Sequence, residues 1–163
     1  MNEAAIGATK NGRFSCEGGI VVERQHRALA GRGVRAGDVV FRLDGVVVDR
    51  PDRYSVQVGV DRHLTLPPDR NAAETDRFPW RFLNHSCAPN ATIRGRELVA
   101  LRDIHALEEV TFDYETTEWE LASPFPCACG AERCRGEVRG YRFLDREARA
   151  RLSPYVAPHL LRR

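Results

Sequence analysis

Short apolar segments, separated by glycine, proline and aspartate, follow one another along the chain from Gly19 onward. In residues 54–58 (YSVQV) apolar and polar side chains alternate with a period of two, which is typical of a half-buried strand. Similar segments predict further strands at 19–22, 38–43, 46–48, 63–66, 97–101 and 110–114. The Asp44-Gly45 pair predicts a hairpin between 38–43 and 46–48. The turn at 59–62 predicts that 63–66 pairs with 54–58.

Only two segments carry helix signals. Residues 71–77 follow a pair of prolines, and residues 145–152 start with the capping residue Asp145 and stop before Pro154. Many short strands with irregular connections predict a mainly β fold rather than a doubly wound α/β sheet. The Gly31-Arg-Gly33 segment is not a dinucleotide-binding fingerprint, since no clear helix follows it. A Rossmann-type domain is therefore disfavoured.

Length and charge limit the remaining possibilities. At 163 residues the chain has room for one domain with one hydrophobic core. Its net charge of +2 gives no indication of nucleic-acid binding. No apolar run approaches the roughly 20 residues of a membrane span, and residues 1–19 lack the apolar core of a signal peptide. We therefore predict a cytoplasmic protein that does not bind a membrane, with no evidence for nucleic-acid binding, while its oligomeric state stays open.

Four of the five cysteines have the spacing of metal ligands. Cys127, Cys129 and Cys134 lie within eight residues, and Cys87 lies 40 residues before the first of them. Thiolates are soft ligands that suit zinc, and four of them close a tetrahedral structural site. A disulfide between Cys127 and Cys129 would be badly strained, since only one residue separates them. The pattern predicts a structural Zn2+ site.

Two alternatives remain for these cysteines. Cys16 competes with Cys87 for the fourth ligand position, because spacing alone does not decide between them. The cysteines could also be ordinary reduced thiols, with Cys87 in the core. Gly130 and Gly136 favour the metal site, since glycine lets the backbone turn tightly around an ion.

Three segments together resemble a known family. Residues 81–90 (RFLNHSCAPN) resemble the RFINHSCxPN signature of SET-domain lysine methyltransferases, and 107–114 (LEEVTFDY) is similar to their EELTFDY segment. Residues 126–136 (PCACGAERCRG) resemble the CxCGxxxCRG of their post-SET tails. Residues 30–40 are similar to the stretch that leads into an early SET strand. The three motifs occur in the family's order, and the resemblance covers about residues 20–140.

The resemblance implies a fold and a division of the chain. It implies a mainly β SET domain of the β-clip type, with several small sheets and a pseudoknot in which the two central motifs cross. A zinc-binding post-SET tail and a short C-terminal helix would follow. The implied boundaries are an N-terminal extension at 1–18, the SET domain at 19–118, the post-SET segment at 119–140 and a helical extension at 141–163. Within the last, we expect Phe143, Leu144 and Leu152 to pack on the domain.

The resemblance also implies a reaction, the transfer of a methyl group from S-adenosylmethionine to a protein lysine. It gives Tyr114 the catalytic position, where a hydroxyl orients a neutral amine, and makes Tyr54 a wall of the lysine channel. Asn84 would bind the amino-acid part of the cofactor and His85 its adenine. The implied cofactor-binding residues are Arg81, Phe82, Asn84, His85, Tyr114, Cys129, Gly31 and Gly33, and the implied zinc ligands are Cys87, Cys127, Cys129 and Cys134.

These residues also have purely structural interpretations. Asn84 and His85 could be turn residues that satisfy local backbone groups. Tyr114 could be a core tyrosine that ends a strand, and Phe82 suits the core better than a ligand contact.

The chain departs from the family pattern at two places. If residues 36–40 align with the family's xGEVI segment, its GxG motif falls on residues 25–27 (QHR). The other alignment takes Gly31-Arg-Gly33 as that motif and shortens the following connection. Residues 77–80 (RFPW) stand where the family has glycine and asparagine, and the insert between Tyr54 and Trp80 is short. Glycine permits close approach to a ligand, so these changes bear on cofactor affinity rather than on the fold.

The departures leave two other functions open. One is a SET domain without catalytic activity that serves as a binding module. The other is an enzyme that uses S-adenosylmethionine on a small amine instead of a protein lysine. Binding of the cofactor separates the first from an enzyme, and a comparison of peptides with free amines separates the second.

Overall fold

Thirteen short strands form five small sheets in the part of the chain that the structure describes. The computed structural model describes residues 13–16, 19–23, 27–68 and 77–163. The strands are β1 (Arg13–Cys16), β2 (Ile20–Glu23), β3 (Arg27–Ala30), β4 (Val39–Arg42), β5 (Val46–Val48), β6 (Val56–Gly59), β7 (Arg62–Thr65), β8 (Asn84–His85), β9 (Ala91–Arg94), β10 (Glu97–Ala100), β11 (Thr111–Phe112), β12 (Phe125–Pro126) and β13 (Glu137–Val138). The mainly β fold class is thereby confirmed.

The sheets have the orders β1-β2-β3, β4-β10-β9, β5-β7-β6, β8-β11 and β12-β13. The predicted hairpin of β6 and β7 is confirmed, with Val56 opposite Leu64. The hairpin predicted around Asp44-Gly45 is wrong, because β4 pairs with β10 and β5 pairs with β7. The chain changes sheets at this turn. The two apolar segments flanking it therefore join different sheets instead of each other.

One apolar core holds the described residues between Ile20 and Phe112 together. In β2 the alternate residues Ile20 and Val22 face it, whereas β3, β9 and β10 each bury three consecutive residues. Nineteen buried apolar side chains form it, among them Ile20, Leu43, Leu64, Leu98, Ile104 and Val110. Trp80, from the unusual 77–80 segment, is also part of this core, and its indole Nε1 donates to the carbonyl oxygen of Asp44 at 2.8 Å. Through Trp80, the segment at 77–80 that departs from the family pattern therefore contributes to the packing of the core.

The two central motifs lie side by side in the only parallel pairing between the described strands. Asn84 is opposite Thr111 and His85 is opposite Phe112. The N–H of Ser86 continues the ladder by donating to the carbonyl oxygen of Phe112 at 3.2 Å. Two motifs more than twenty residues apart thus meet at one place, as the pseudoknot of the resemblance implied.

The C-terminal segment forms a second, smaller cluster. Helix α1 (Arg146–Leu152) starts at Asp145, whose Oδ1 accepts the N–H of Ala148 at 2.7 Å, and this confirms the predicted cap. The buried members of the cluster are Tyr141, Leu144, Ala148, Leu152 and Leu160, with Trp119 and Val156 against them. Phe143, expected to pack on the domain, is instead 40% exposed and lies under the guanidinium of Arg139.

Other predictions fall outside what the structure decides. Residues 71–76 of the helix predicted at 71–77 lie outside the described residues. The domain boundaries proposed at 18, 118 and 140 stay predictions. Among the described residues, no helix has the length and apolar character that crossing a membrane requires.

Candidate functional site

A cavity of 1210 Å³ surrounds the parallel pair of β8 and β11. The 3-10 helix Pro79–Phe82 forms one wall, and residues 121–129 form another. Eight of the predicted site residues line it, namely Tyr54, Arg81, Phe82, Asn84, His85, Tyr114, Cys127 and Cys129. The structure therefore brings together residues that are spread over more than seventy positions of the sequence.

The glycines at 31 and 33 are not among the residues that line this cavity. The N–H of Gly31 donates to the carbonyl oxygen of Gly19 at 2.7 Å, and a Cβ at position 31 would lie only 2.5 Å from that oxygen. Packing between two strands thus accounts for glycine at 31. The alternative GxG position includes residues 25 and 26, which lie outside the described part, and Arg27, which does line the cavity.

Tyr114 stands between the cavity and the core. Its hydroxyl donates to the carbonyl oxygen of Leu83 at 2.6 Å. The ring centroid lies 4.8 Å from that of Phe112 and 6.0 Å from that of Phe125. Burial raises the pKa of Tyr114 well above its usual value of 10, and the charges of Glu118 and Glu109 add to the shift. The hydroxyl therefore stays protonated and can orient a reactant without removing its proton.

His85 connects the cavity with the cysteine cluster. Its Nδ1 accepts the N–H of Tyr114 at 3.2 Å, so the ring proton belongs on Nε2, which lies 3.3 Å from Sγ of Cys87. Burial, with a smaller effect of the Arg135 charge, lowers the pKa of His85 to about 3. His85 is therefore neutral at pH 7, and its orientation is fixed from both sides of the ring.

One end of the cavity is polar. Nδ2 of Asn84 donates to Oε1 of Glu109 at 2.8 Å, and Oε2 of Glu109 lies 3.8 Å from Nη1 of Arg27. All three side chains line the cavity, and that of Asn84 is exposed. This end offers a carboxamide, a carboxylate and a guanidinium, groups that suit an amino acid.

The mouth of the cavity carries an aromatic and cationic pair. The guanidinium carbon of Arg81 lies 4.5 Å from the centroid of the Tyr54 ring, which is 51% exposed. Tyr54 precedes strand β6 instead of starting it, since its N–H is bound by Oδ1 of Asp52 in a local turn. Tyr54 is thus at the rim, and its role as a channel wall stays a prediction. Phe82 is buried in the core and also borders the cavity.

The four predicted metal ligands converge at one point. The Sγ atoms of Cys87, Cys127, Cys129 and Cys134 all lie within 4.8 Å of one another. Backbone N–H groups point at three of the sulfurs, with Cys87 donating to Cys129, Arg135 to Cys87 and Gly136 to Cys134, each at 3.5 Å. Gly130 and Gly136 have φ of +71° and +76°, as a tight turn around an ion requires. The structure thus selects Cys87, the first alternative, to complete this set.

A buried ion-pair network next to this cluster went unnoticed in the sequence. Arg135 donates through Nη2 to both oxygens of Asp113, at 2.7 and 2.8 Å, and through Nε to Oε2 of Glu115 at 2.7 Å. Oε1 of Glu115 accepts the N–H groups of Arg139 and Gly140, each at 3.1 Å. The network joins the residues around Tyr114 to residues 135–140.

Sequence reasoning also missed three residues that line the cavity, namely Glu109, Glu118 and Phe125. Glu109 precedes β11 within the family motif, so its position was available as a signal. Glu118 is a charged residue that is only 8% exposed, four positions after Tyr114. Nothing in the sequence distinguishes it from the exposed Glu120 two residues later.

Comparison with known proteins agrees with this geometry. Residues 21–115 match the profile of the SET domain family. A histone-lysine N-methyltransferase of Aspergillus oryzae, H3 lysine-4 specific, is 43% identical over 124 residues, which are 66% of this chain and 10% of that protein. Histone-lysine N-methyltransferase 2B of Homo sapiens is 30% identical over 119 residues, or 64% of this chain and 4% of that protein.

A solved structure of KRYPTONITE in complex with mCHH DNA, H3(1-15) peptide and SAH has a TM-score of 0.48 at 23% identity, over 68% of this chain and 26% of that one. The chain spans a tenth or less of the length of the two histone-lysine methyltransferases above. The profile match, by contrast, covers more than half of this chain. On that match, the chain belongs to the SET domain family.

Proposed function

We propose that this chain transfers a methyl group from S-adenosylmethionine to the side-chain amine of a protein lysine. The observation that carries the proposal is the position of the Tyr114 hydroxyl in one cavity with Asn84 and His85, beside the parallel pair of β8 and β11. The names of the two histone-lysine methyltransferases above support the reaction class.

The cavity suits two reactants. Its 1210 Å³ exceeds the roughly 300–1,000 Å³ of a site for one small molecule. Its polar end, at Asn84 and Glu109, fits the charged amino-acid group of the methyl donor. The aromatic side chains of Phe112, Tyr114 and Phe125 fit the apolar stem of a lysine.

Positioning is the main contribution of the chain to catalysis. S-adenosylmethionine supplies an electrophilic methyl group on a sulfonium, and an amine displaces it in line. The Tyr114 hydroxyl is held by Leu83 and stays protonated, so its remaining lone pair can accept a hydrogen bond from the amine. The neutral His85 ring fixes the backbone of Tyr114. Holding reactants in this way can account for several kcal/mol of the barrier, on the order of 7–11 for well-oriented groups.

We further propose that Cys87, Cys127, Cys129 and Cys134 hold a structural zinc ion. Four thiols within 4.8 Å form a donor set that suits zinc, and N–H donors to the sulfurs favour their thiolate forms. Because Cys129 also borders the cavity, the ion would hold one wall of the methyl-transfer site. Metal analysis of the purified protein tests this, with one zinc per chain expected.

The function is tested by measuring methyl transfer to an H3(1-15) peptide and, in parallel, to free lysine and other small amines. We expect turnover on the peptide, and we expect Tyr114→Phe to lower kcat about a hundredfold because a positioned hydroxyl is lost. Tyr155→Phe is the matched control, since Tyr155 is partly exposed and does not line this cavity.

Two outcomes would overturn the proposal. Without binding of S-adenosylmethionine, the chain would be a binding module; at 100 times its Kd, the cofactor should add about 2.7 kcal/mol to the free energy of unfolding. Turnover on free amines alone would indicate a small-molecule enzyme.

A further inference from the structure

We propose that Glu118 receives the ammonium group of the substrate in this cavity and takes up its proton before methyl transfer. The inference rests on the proposed methyl transfer and goes beyond it, because it adds a charged acid–base group to a site described so far by positioning alone. Glu118 belongs neither to the sequence motifs, nor to the polar end of the cavity at Asn84 and Glu109, nor to the Arg81–Tyr54 pair at its mouth.

The backbone places Glu118 beside Tyr114. Tyr114–Thr116 form a 3-10 helix, and the N–H of Glu118 donates to the carbonyl oxygen of Tyr114 at 2.9 Å. The carbonyl oxygen of Glu118 accepts the N–H of Tyr141 at 2.8 Å. The turn is therefore held from two sides, and Glu118 lines the same cavity as Tyr114.

The carboxylate is held in place by one of its oxygens only. Oε1 accepts the N–H of Gln57 at 2.7 Å and the hydroxyl of Thr117 at 3.3 Å. The side chain of Gln57 in turn accepts the N–H of Trp119 at 2.8 Å, which fixes this arrangement. Among residues 19–23, 27–68 and 77–163, Oε2 has no hydrogen bond and Glu118 has no ion pair. A buried carboxylate without a counter-ion is strongly unfavourable.

The neighbouring charged groups do not supply that counter-ion. Tyr114 is neutral and Glu109 is itself an acid. His63, in the strand paired with β6, and His159, which donates to the carbonyl oxygen of Thr117 at 2.8 Å, both have pKa values lowered by burial. Arg163 faces the Trp119 ring and pairs with Asp61, and Arg81 faces Tyr54 at the rim. None of these described groups pairs with Glu118, so a cationic ligand would supply its counter-ion.

A lysine side chain supplies that cation. Its ammonium group, entering past the aromatic rings, would meet Oε2 next to the Tyr114 hydroxyl. Burial raises the pKa of Glu118 to about 7, although the hydrogen bonds from Gln57 and Thr117 work against the shift. One proton then passes from R–NH3+ to the carboxylate, which leaves R–NH2 and a carboxylic acid. After product release the acid returns its proton to water, so the cycle is balanced.

The test compares Glu118→Gln with wild type, because the amide keeps the Oε1 acceptor for Gln57 and removes only the charge. Glu120→Gln is the matched control, since it removes the same charge from an exposed ion pair with Arg142. With H3(1-15) peptide and saturating S-adenosylmethionine, wild-type kcat/KM should rise with pH through an apparent pKa near 7. In Glu118→Gln we expect this rise of kcat/KM with pH to disappear and the KM for the peptide to increase at least tenfold. Glu120→Gln should match wild type.

A binding measurement uses n-butylammonium as the probe, with S-adenosylhomocysteine present. Calorimetry should show binding at least tenfold weaker for Glu118→Gln, whereas neutral n-pentanol should bind both proteins equally. If the substitution instead weakens S-adenosylmethionine binding and leaves amine binding unchanged, the carboxylate serves the methyl donor and the proposal is wrong.

Stability against pH gives a readout that needs no activity. The pKa of Glu118 is about 7 in the folded chain against 4.5 in the unfolded one, so the folded state binds the proton more tightly. Its contribution to stability is full below pH 4.5 and is lost as the pH rises through 7. Wild type should therefore lose stability relative to Glu118→Gln between these values. If the difference in unfolding free energy between wild type and Glu118→Gln is constant with pH, the Glu118 carboxylate is not buried without a counter-ion.

The two proposals can fail separately. A wild-type chain that neither binds S-adenosylmethionine nor methylates any amine contradicts the proposed function, and the role of Glu118 falls with it. An active wild type whose pH profile and KM are unchanged in Glu118→Gln contradicts the role of Glu118 alone.

Discussion

Two regions of the molecule, the strands from β2 to β11 and segment 119–140, are held together by different forces. The strands from β2 to β11 and their described connections bury nineteen apolar side chains in one cluster. Within 119–140, Val138 is the one apolar side chain that is fully buried. Segment 119–140 instead contributes three thiols that converge with Cys87, the guanidinium of Arg135 between the carboxylates of Asp113 and Glu115, and a short pairing of β12 with β13.

The difference follows from size. A segment of some twenty residues cannot bury enough apolar area to offset the entropy of ordering it, so it needs cross-links. In the core, stabilisation is spread over many contacts and each one is small. In segment 119–140, a few groups provide most of the stabilisation. Loss of one group should therefore matter far more there, although both regions border the same cavity.

Removal of metal should give the largest effect. With a chelator, or in Cys129→Ser, we expect segment 119–140 to become disordered while the core stays folded, because structural zinc contributes about 10–16 kcal/mol of apparent folding energy in small domains. Limited trypsin digestion measures this through cleavage after Arg133 and Arg139. Restored protection on adding zinc is the control. If Arg133 stays protected without metal, the thiols are not the main cross-link.

The substitution Arg135→Gln should have the next largest effect. It leaves Asp113 and Glu115, which are almost fully buried, without their cation, and we expect a loss of about 3–5 kcal/mol in the free energy of unfolding. Urea unfolding measures it. Arg142→Gln is the matched control, since its ion pair with Glu120 is half exposed and should contribute less than about 1 kcal/mol. Equal losses of unfolding free energy in both variants would mean that the buried Arg135 network stabilises the fold no more than the exposed Arg142–Glu120 pair does.

The smallest effect belongs to the core. Ile104 is 1% exposed, and Ile104→Val removes one methylene group from a close-packed cluster. We expect a loss of about 0.5–1.5 kcal/mol with unchanged zinc content and unchanged methyl transfer. Urea unfolding together with metal analysis checks both parts. A loss of zinc in this variant would mean that the core and the metal site are not independent.

The sequence predicted best what depends on local pattern or on motif. Strand β6 and its turn into β7 require only neighbouring residues, and so does the cap at Asp145. The cysteine spacing and the two central motifs led to residues that do converge. The Asp44-Gly45 hairpin failed because pairing of β4 depends on β10, more than fifty residues away.

The groups that were missed depend on distant neighbours. Arg135 acquires its role only when Asp113 and Glu115 fold against it. Glu118 is buried where Gln57, in strand β6, approaches it and donates its N–H to the carboxylate. In the sequence both look like ordinary surface charges. Hydrophobic periodicity and composition do not predict contacts between distant segments. A motif predicts such contacts only where a known family already has them.

The parallel pairing of β8 with β11 constrains the order in which the chain assembles. Cys87 follows β8 directly, whereas Cys127, Cys129 and Cys134 come after β11. The hairpin of β9 and β10 lies between the paired strands and shortens the loop that must close. The three late thiols are close in the sequence and can meet an ion early. Cys87 reaches them only after β8 has paired with β11. Completion of the metal site would therefore be a late folding event and would report that this pairing has formed.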